Sequence, residues 1–117
     1  MILSTILKQE GQRTTNMAAY LIVNIAAIHD DKTYAEYRAR VNASVSAAGG
    51  EYLVRGGHVD VLEGDWRPNR VVVVRFPSAE AAKSWWASSE YAELKGMRQA
   101  SAVTEMILVE GMEGGTQ

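Results

Sequence analysis

The chain has 117 residues, enough for one domain and one modest core. Hydrophobic residues make up 47%, charged residues 22%, and the formal net charge is -2, an ordinary globular balance without the basic excess of a nucleic-acid binder. There is no cysteine, which excludes disulfides, thiolate nucleophiles and zinc-thiolate sites and makes the cytoplasm the expected location.

Residues 1–16 begin with a short apolar run, Met1 to Leu7, followed by a polar stretch without a period. No basic residue precedes the run and no small-residue cleavage site follows it, so it does not read as a signal peptide. The segment is expected to be a flexible N-terminal extension, the alternative being an extra helix packed on the domain or on a partner. No apolar run reaches the length of a membrane span, so no membrane association is expected.

The regular pattern starts at Met17. Ala19 to Ile28 is almost wholly apolar and reads as a strand covered on both faces, with Asn24 its one polar residue. Asp30 and Asp31 offer N-cap oxygens, and Thr33 with Glu36 matches a capping box. Tyr34, Tyr37, Val41, Val45 and Ala48 then recur in steps of three and four, which predicts one apolar face of a helix over 32–48. Gly49-Gly50 ends it. Glu51 to Val54 predicts a strand interrupted by Gly56-Gly57 and resumed over Val59 to Glu63, the glycines marking a bend or a close backbone approach. After a turn at 64–69, Val71 to Phe76 is a β-branched strand. Ser78 caps a helix holding Ala81, Ala82, Trp85 and Trp86, and Ser88 or Ser89 caps a further one with Tyr91, Leu94 and Arg98 on one face. Ala102 to Glu110 is the last strand, and a Gly-rich tail, 112–117, is expected to be loose.

The order is β-α-β-β-α-β with one short added helix. It predicts an α+β, ferredoxin-like domain over 17–111, a four-stranded antiparallel sheet with its helices on one face. The strands are apolar on both sides, and no segment remains to cover the second face. A second copy of the chain is the expected cover, giving an isologous homodimer through the sheet face.

Several motifs in order also carry a resemblance: Asp30…Tyr34-x-x-Tyr37, Gly49-Gly50, Leu53-Val54-Arg55-Gly56-Gly57, Leu62-Glu63-Gly64-Asp65-Trp66-x-Pro68-x-Arg70, Phe76-Pro77-Ser78 with Ala82 and Trp85, and Ser89-x-Tyr91 with Leu94 and Arg98. Over residues 18–111 the chain resembles the DUF1330 family. The resemblance implies membership of the dimeric α/β-barrel superfamily, in which ferredoxin-like protomers join two sheets into a barrel. Relatives there include cofactor-free monooxygenases, haem-degrading enzymes and isomerases, and a shared fold does not pass on a function. Trp86 departs from the family pattern, where an aromatic such as Tyr is common.

The candidate catalytic residues are Arg55, His58 and Tyr37. Arg55 precedes the glycine pair and suits a two-point clamp on a carboxylate or enolate. His58 is the best general base by intrinsic pKa, with Asp60 as its only near orienter. Tyr34, Asn24, Glu63, Trp66, Arg70 and Tyr91 are the candidate substrate-binding residues. Each has a plainer reading: Arg55 and Glu63 as a structural ion pair, His58 as an exposed strand residue, the tyrosines as core residues with satisfied hydroxyls. Arg75 interrupts an apolar strand and is expected to need a carboxylate, with Glu105 the candidate. His29 and Asp31 are two possible ligands, which do not make a metal site, and no cofactor is expected. The sequence thus leaves two readings open. One is a cofactor-independent enzyme, a monooxygenase or isomerase, acting on a small, partly apolar, oxygenated molecule. The other is a non-catalytic ligand-binding or structural dimer; haem handling stands behind both.

Overall fold

The computed structural model of the chain describes residues 17–112; the expected extension at 1–16 and nearly all of the expected tail lie outside them. The elements run β1 (Ala19–Ile28), α1 (Asp31–Ala47), β2 (Glu51–Arg55), β3 (Arg70–Phe76), α2 (Ala79–Ala87), α3 (Ser89–Ser101) and β4 (Ala102–Glu110). The four strands form one antiparallel sheet in the order β2-β3-β1-β4. This is the expected ferredoxin-like α+β arrangement, but the added helix α3 is not short: at 13 residues it is longer than α2, with 9.

Local chemistry sets the helix ends. Asp30 is the N-cap of α1: its Oδ1 accepts from the Thr33 backbone N–H at 3.1 Å and its Oδ2 from the Thr33 hydroxyl at 2.8 Å. These bonds, led by that to the Thr33 hydroxyl, hold its pKa below the ordinary carboxylate value. The helix stops at Gly49, whose φ of 84° only glycine adopts freely. Ser88 serves twice. It closes α2 and caps α3, where its hydroxyl accepts from the Tyr91 N–H at 3.1 Å.

Side-chain parity divides the sheet into two faces. Leu21, Val23 and Ile25 of β1, Val74 and Phe76 of β3 and Ala102 of β4 are buried under the helices. The helices answer with Tyr34, Tyr37, Val41 and Val45 from α1, the positions the three-four spacing predicts, and with Ala82, Trp85, Tyr91 and Leu94. Trp85 is packed between Phe76 and Tyr91, with ring centroids 5.5 Å and 4.1 Å away, and its indole N–H reaches the Ser44 hydroxyl at 3.1 Å. On the opposite face no element of the described chain lies over the sheet. There Val54, Val73, Ile22 and Ile107 stand side by side, one from each strand in register, and Val103 and Val109 extend the apolar surface.

Two expectations about the middle of the chain are corrected. Val59 to Glu63 is not a strand; β2 ends at Arg55, and 56–69 is a loop. The last rung is the Gly56 N–H to the Val71 carbonyl at 2.9 Å. Gly56, at φ 78°, turns the chain away, and β3 starts only at Arg70, so nothing is left for Val59 to Glu63 to pair with. Arg75 does not reach Glu105 either. Strand β1 separates their strands; Arg75 stands opposite Tyr20 and Glu51, while Glu105 accepts from the Asn24 amide at 3.3 Å.

Candidate functional site

A cavity of about 70 Å³ lies between the helix face of the sheet and α1. Its floor is apolar: Leu21, Val23, Ile25, Val72, Val74 and Met106. Tyr34, Tyr37 and Tyr52 form aromatic walls beside Val41, and four arginines, Arg38, Arg55, Arg70 and Arg98, complete the lining. No carboxylate and no histidine lines it.

Arg55 reaches this cavity through a bulge. The pairing of β2 with β3 shifts between Tyr52 and Val54, leaving Leu53 as an extra residue. By strict alternation, Tyr52 and Arg55 would fall on opposite faces. The bulge instead sets Tyr52 opposite Val74 and Arg55 opposite Val72, both on the helix side. The guanidinium lies over the Tyr52 ring, 4.3 Å from its centroid. Gly56 leaves room for the second rim arginine, since a Cβ there would meet the Arg70 side chain at 3.3 Å.

Arg98 differs from the other three. Arg38, Arg55 and Arg70 are exposed at the mouth, whereas Arg98 is 6% exposed and comes from the buried face of α3. Its Nε donates to the Tyr91 hydroxyl at 3.3 Å, and its Nη1 donates to the Thr104 hydroxyl. Both partners are neutral. Among the described residues, none of the four arginines forms an ion pair with a carboxylate. A buried cation without a counter-charge carries a desolvation cost of several kcal/mol.

The hydroxyls of Tyr91 and Tyr37 lie 2.9 Å apart. Tyr91 is fully buried, and a guanidinium N–H can only donate to it. The Tyr91 hydrogen therefore needs an acceptor, and the Tyr37 oxygen is the one within reach among the described residues. The donor direction runs from Arg98 to Tyr91 to Tyr37, and the Tyr37 hydrogen remains available to the cavity that its side chain lines. Burial, joined by the neighbouring Tyr91, pushes the Tyr37 pKa well above the ordinary tyrosine value. Burial also raises Tyr34, against the opposing pull of Arg38, Arg70, Arg98 and Arg55, and raises Tyr52. All three are neutral hydrogen-bond donors at physiological pH.

The structure therefore gathers Tyr34, Tyr37, Arg55 and Arg70 of the expected site, with Tyr91 directly behind Tyr37. It does not bring the others to them. His58 is exposed in the loop, bonded to Asp60 at 3.0 Å, with side-chain exposures of 82% and 77%. Glu63 is exposed in the same loop and makes no ion pair with Arg55 among the described residues. Asn24 and Trp66 lie on the open face of the sheet, beside Ile22, Val71, Glu105 and Ile107; the Asn24 side-chain Oδ1 accepts from the Asn69 backbone N–H at 3.0 Å. Among the described residues, no group of three or more His, Asp or Glu side chains could hold a metal ion. Sequence reasoning missed Arg38, Tyr52 and Arg98 as site residues. The available signal for Arg98 was its place on the Tyr91-Leu94-Arg98 face, where an arginine interrupts an apolar stripe.

A ferredoxin-like α+β domain with a cation-rich cavity between sheet and helices is the class of protein these features define. The family model described as a domain of unknown function, DUF1330, matches residues 18–112, and the chain belongs to that family. No curated protein matches it. Among solved structures it is similar to RPA0582, a protein of unknown function from Rhodopseudomonas palustris, with a TM-score of 0.69, 16% identity and 93% of each chain covered. It is also similar to SnoaB, a cofactor-independent oxygenase from Streptomyces nogalater, with a TM-score of 0.57, 12% identity, and 86% of this chain and 99% of SnoaB covered. A hypothetical Arabidopsis thaliana protein gives a TM-score of 0.56 at 13% identity, covering 84% of this chain and 89% of that one. At these identities the likeness is one of fold.

Proposed function

We propose that the protein binds a small, partly apolar, oxygenated molecule in the cavity between sheet and helices, and that it does so as a homodimer joined through the open sheet face. One observation carries the ligand reading: an apolar floor ringed by hydrogen-bond donors that converge on one space, Tyr37 with a hydrogen left over. A core cavity without a ligand role has no use for that concentration of donors. The test is a fragment screen by NMR on labelled protein. Small oxygenated compounds are expected to shift the amides of Tyr34, Tyr37, Tyr52 and Val72 together. Shifts scattered over the surface, or none, would refute the reading.

The dimer is supported by the uncovered row Val54-Val73-Ile22-Ile107, with Ile107 59% exposed and Val109 44% exposed. Contiguous apolar surface of this kind marks an interaction site. Ile107→Asp is expected to give a monomer by sedimentation velocity where the parent chain is a dimer; a monomeric parent chain would refute it. No helix of the described residues is long and apolar enough to cross a membrane, and the lack of cysteine supports a cytoplasmic location.

Cofactor-independent oxygenase or isomerase chemistry is the second reading, favoured by the fold shared with SnoaB. On that reading no side chain takes the substrate's proton, since no histidine or carboxylate lines the cavity: an acidic, enolisable substrate would lose it to solvent water. Arg98 and Tyr37 would then stabilise the resulting enolate, and His58 would take no part. Oxygen uptake with an enolisable ligand found in the screen, unchanged in His58→Ala, checks this; loss of uptake in that variant would refute the base-free reading.

A further inference from the structure

Four guanidiniums around one small space, with no acid among its lining residues, are a charge imbalance that the described fold does not explain. The chain as a whole is slightly acidic, at net -2, so the imbalance is local. An arginine elsewhere in the fold shows the contrast. Arg40, on the outer surface, has both Glu36 and Glu93 within reach, at 3.7 Å and 3.3 Å. Arg98 is 6% exposed and has only hydroxyls. A buried guanidinium held by two neutral oxygens is oriented but not neutralised. The chain from Arg98 through Tyr91 leaves one more donor, the Tyr37 hydroxyl, at the same cavity.

We propose that the ligand of this cavity is a compact carboxylate, with its two oxygens taken by Arg98 and the Tyr37 hydroxyl and its short apolar body lying on the Val23-Val72 floor. The assignment rests on the cavity being a ligand site and names the chemistry of the ligand. A carboxylate supplies the counter-charge that Arg98 lacks and an acceptor for the Tyr37 hydrogen, and a short aliphatic body suits a cavity of about 70 Å³. Arg38, Arg55 and Arg70 at the mouth raise the local anion concentration. Tyr91 acts as a positioning residue: it fixes the direction of the Tyr37 hydrogen and the plane of the guanidinium.

The experiment is a titration of labelled protein at low salt with three probes, butanoate, its neutral isostere butanamide and inorganic phosphate, read at the amides lining the cavity. Butanoate is expected to bind at least about tenfold more tightly than butanamide, as hydrogen bonds to a charged group outweigh neutral ones. Arg98→Met is expected to abolish the preference. Since that variant alters the interior, Arg70→Gln at the exposed mouth serves as a second: it is expected to weaken butanoate and leave butanamide unchanged. Equal binding of acid and amide would overturn the carboxylate assignment while leaving the ligand site standing. Phosphate binding at the cavity as well as butanoate does would overturn the carboxylate in favour of another anion. No response at the cavity to any of the three would overturn both the assignment and the site.

Discussion

Removing the Tyr91 hydroxyl tests the polar chain at its centre. Tyr91→Phe keeps the ring that packs on Trp85, 4.1 Å away, and deletes only the oxygen between Arg98 and Tyr37. Two bonds are lost at a site with 0% exposure, where water cannot replace them. A neutral bond contributes about 0.5–1.5 kcal/mol and one to a charged group about 1.5–3, and the 3.3 Å length of the Arg98 bond favours the low end of the second range. The expected cost is therefore about 2–3 kcal/mol, a fall of roughly 30- to 160-fold in the folding equilibrium. Tyr37→Phe breaks only the outer bond but leaves the buried Tyr91 hydrogen without its acceptor, so it is expected to cost about 1–2 kcal/mol, and the double variant to cost less than the sum. Urea unfolding followed by fluorescence of the three tryptophans, at one fixed protein concentration, measures all four species. Burial raises the Tyr37 pKa, so its contribution is complete below the ordinary tyrosine range and declines only as pH rises beyond it. A Tyr91→Phe variant within 0.5 kcal/mol of the parent, or a Tyr37→Phe variant costlier than Tyr91→Phe, would refute a chain that runs from Arg98 outward.

Three other substitutions probe separate parts of the structure. The folded-state pKa of Asp30 is depressed by its bonds to Thr33, so the cap stabilises fully above the ordinary carboxylate value and is lost as pH falls below it; Asp30→Asn, which caps without titrating, should show a flatter acid unfolding profile by circular dichroism. Gly50→Ala would set a Cβ 2.6 Å from a Val45 methyl and 3.1 Å from the Phe76 ring, and is expected to cost about 1–3 kcal/mol in urea. Gly96→Ala meets nothing within 4 Å in the middle of α3 and should instead stabilise by about 0.5–1 kcal/mol, a contrast that calorimetry resolves.

The fold was legible because parity and period act locally. Tyr34, Tyr37, Val41 and Val45 declare their shared face by spacing alone, and β1 and β3 declare theirs by composition. The site was legible only where an element is regular. Tyr34 and Tyr37 could be placed on a helix face, but the facing of Arg55 depends on a single extra residue, Leu53, that no alternation announces. His58 was misplaced for a related reason. The Val59 to Glu63 run has the composition of a strand, but a strand also needs a partner, and whether β3 extends far enough to supply one is a property of the fold. Arg98 carried its signal openly, as a charge on a buried stripe, and its lack of a carboxylate became visible only in three dimensions.

The central place of β1 bears on how the chain reaches this state. The first of the four strands to be synthesised is held between two that come much later: Asn24 meets Glu105 across 81 positions. Until β3 and β4 exist, its row of Ile, Leu and Val has no hydrogen-bonding neighbour on either side. One side of β1 stays unpaired until β3 is made and the other until β4, the last strand, is made, so partial chains should expose an adhesive ribbon rather than a finished domain. Chains truncated before Ala102 are then expected to aggregate, and in the complete domain the amides of β1 should be the slowest to exchange.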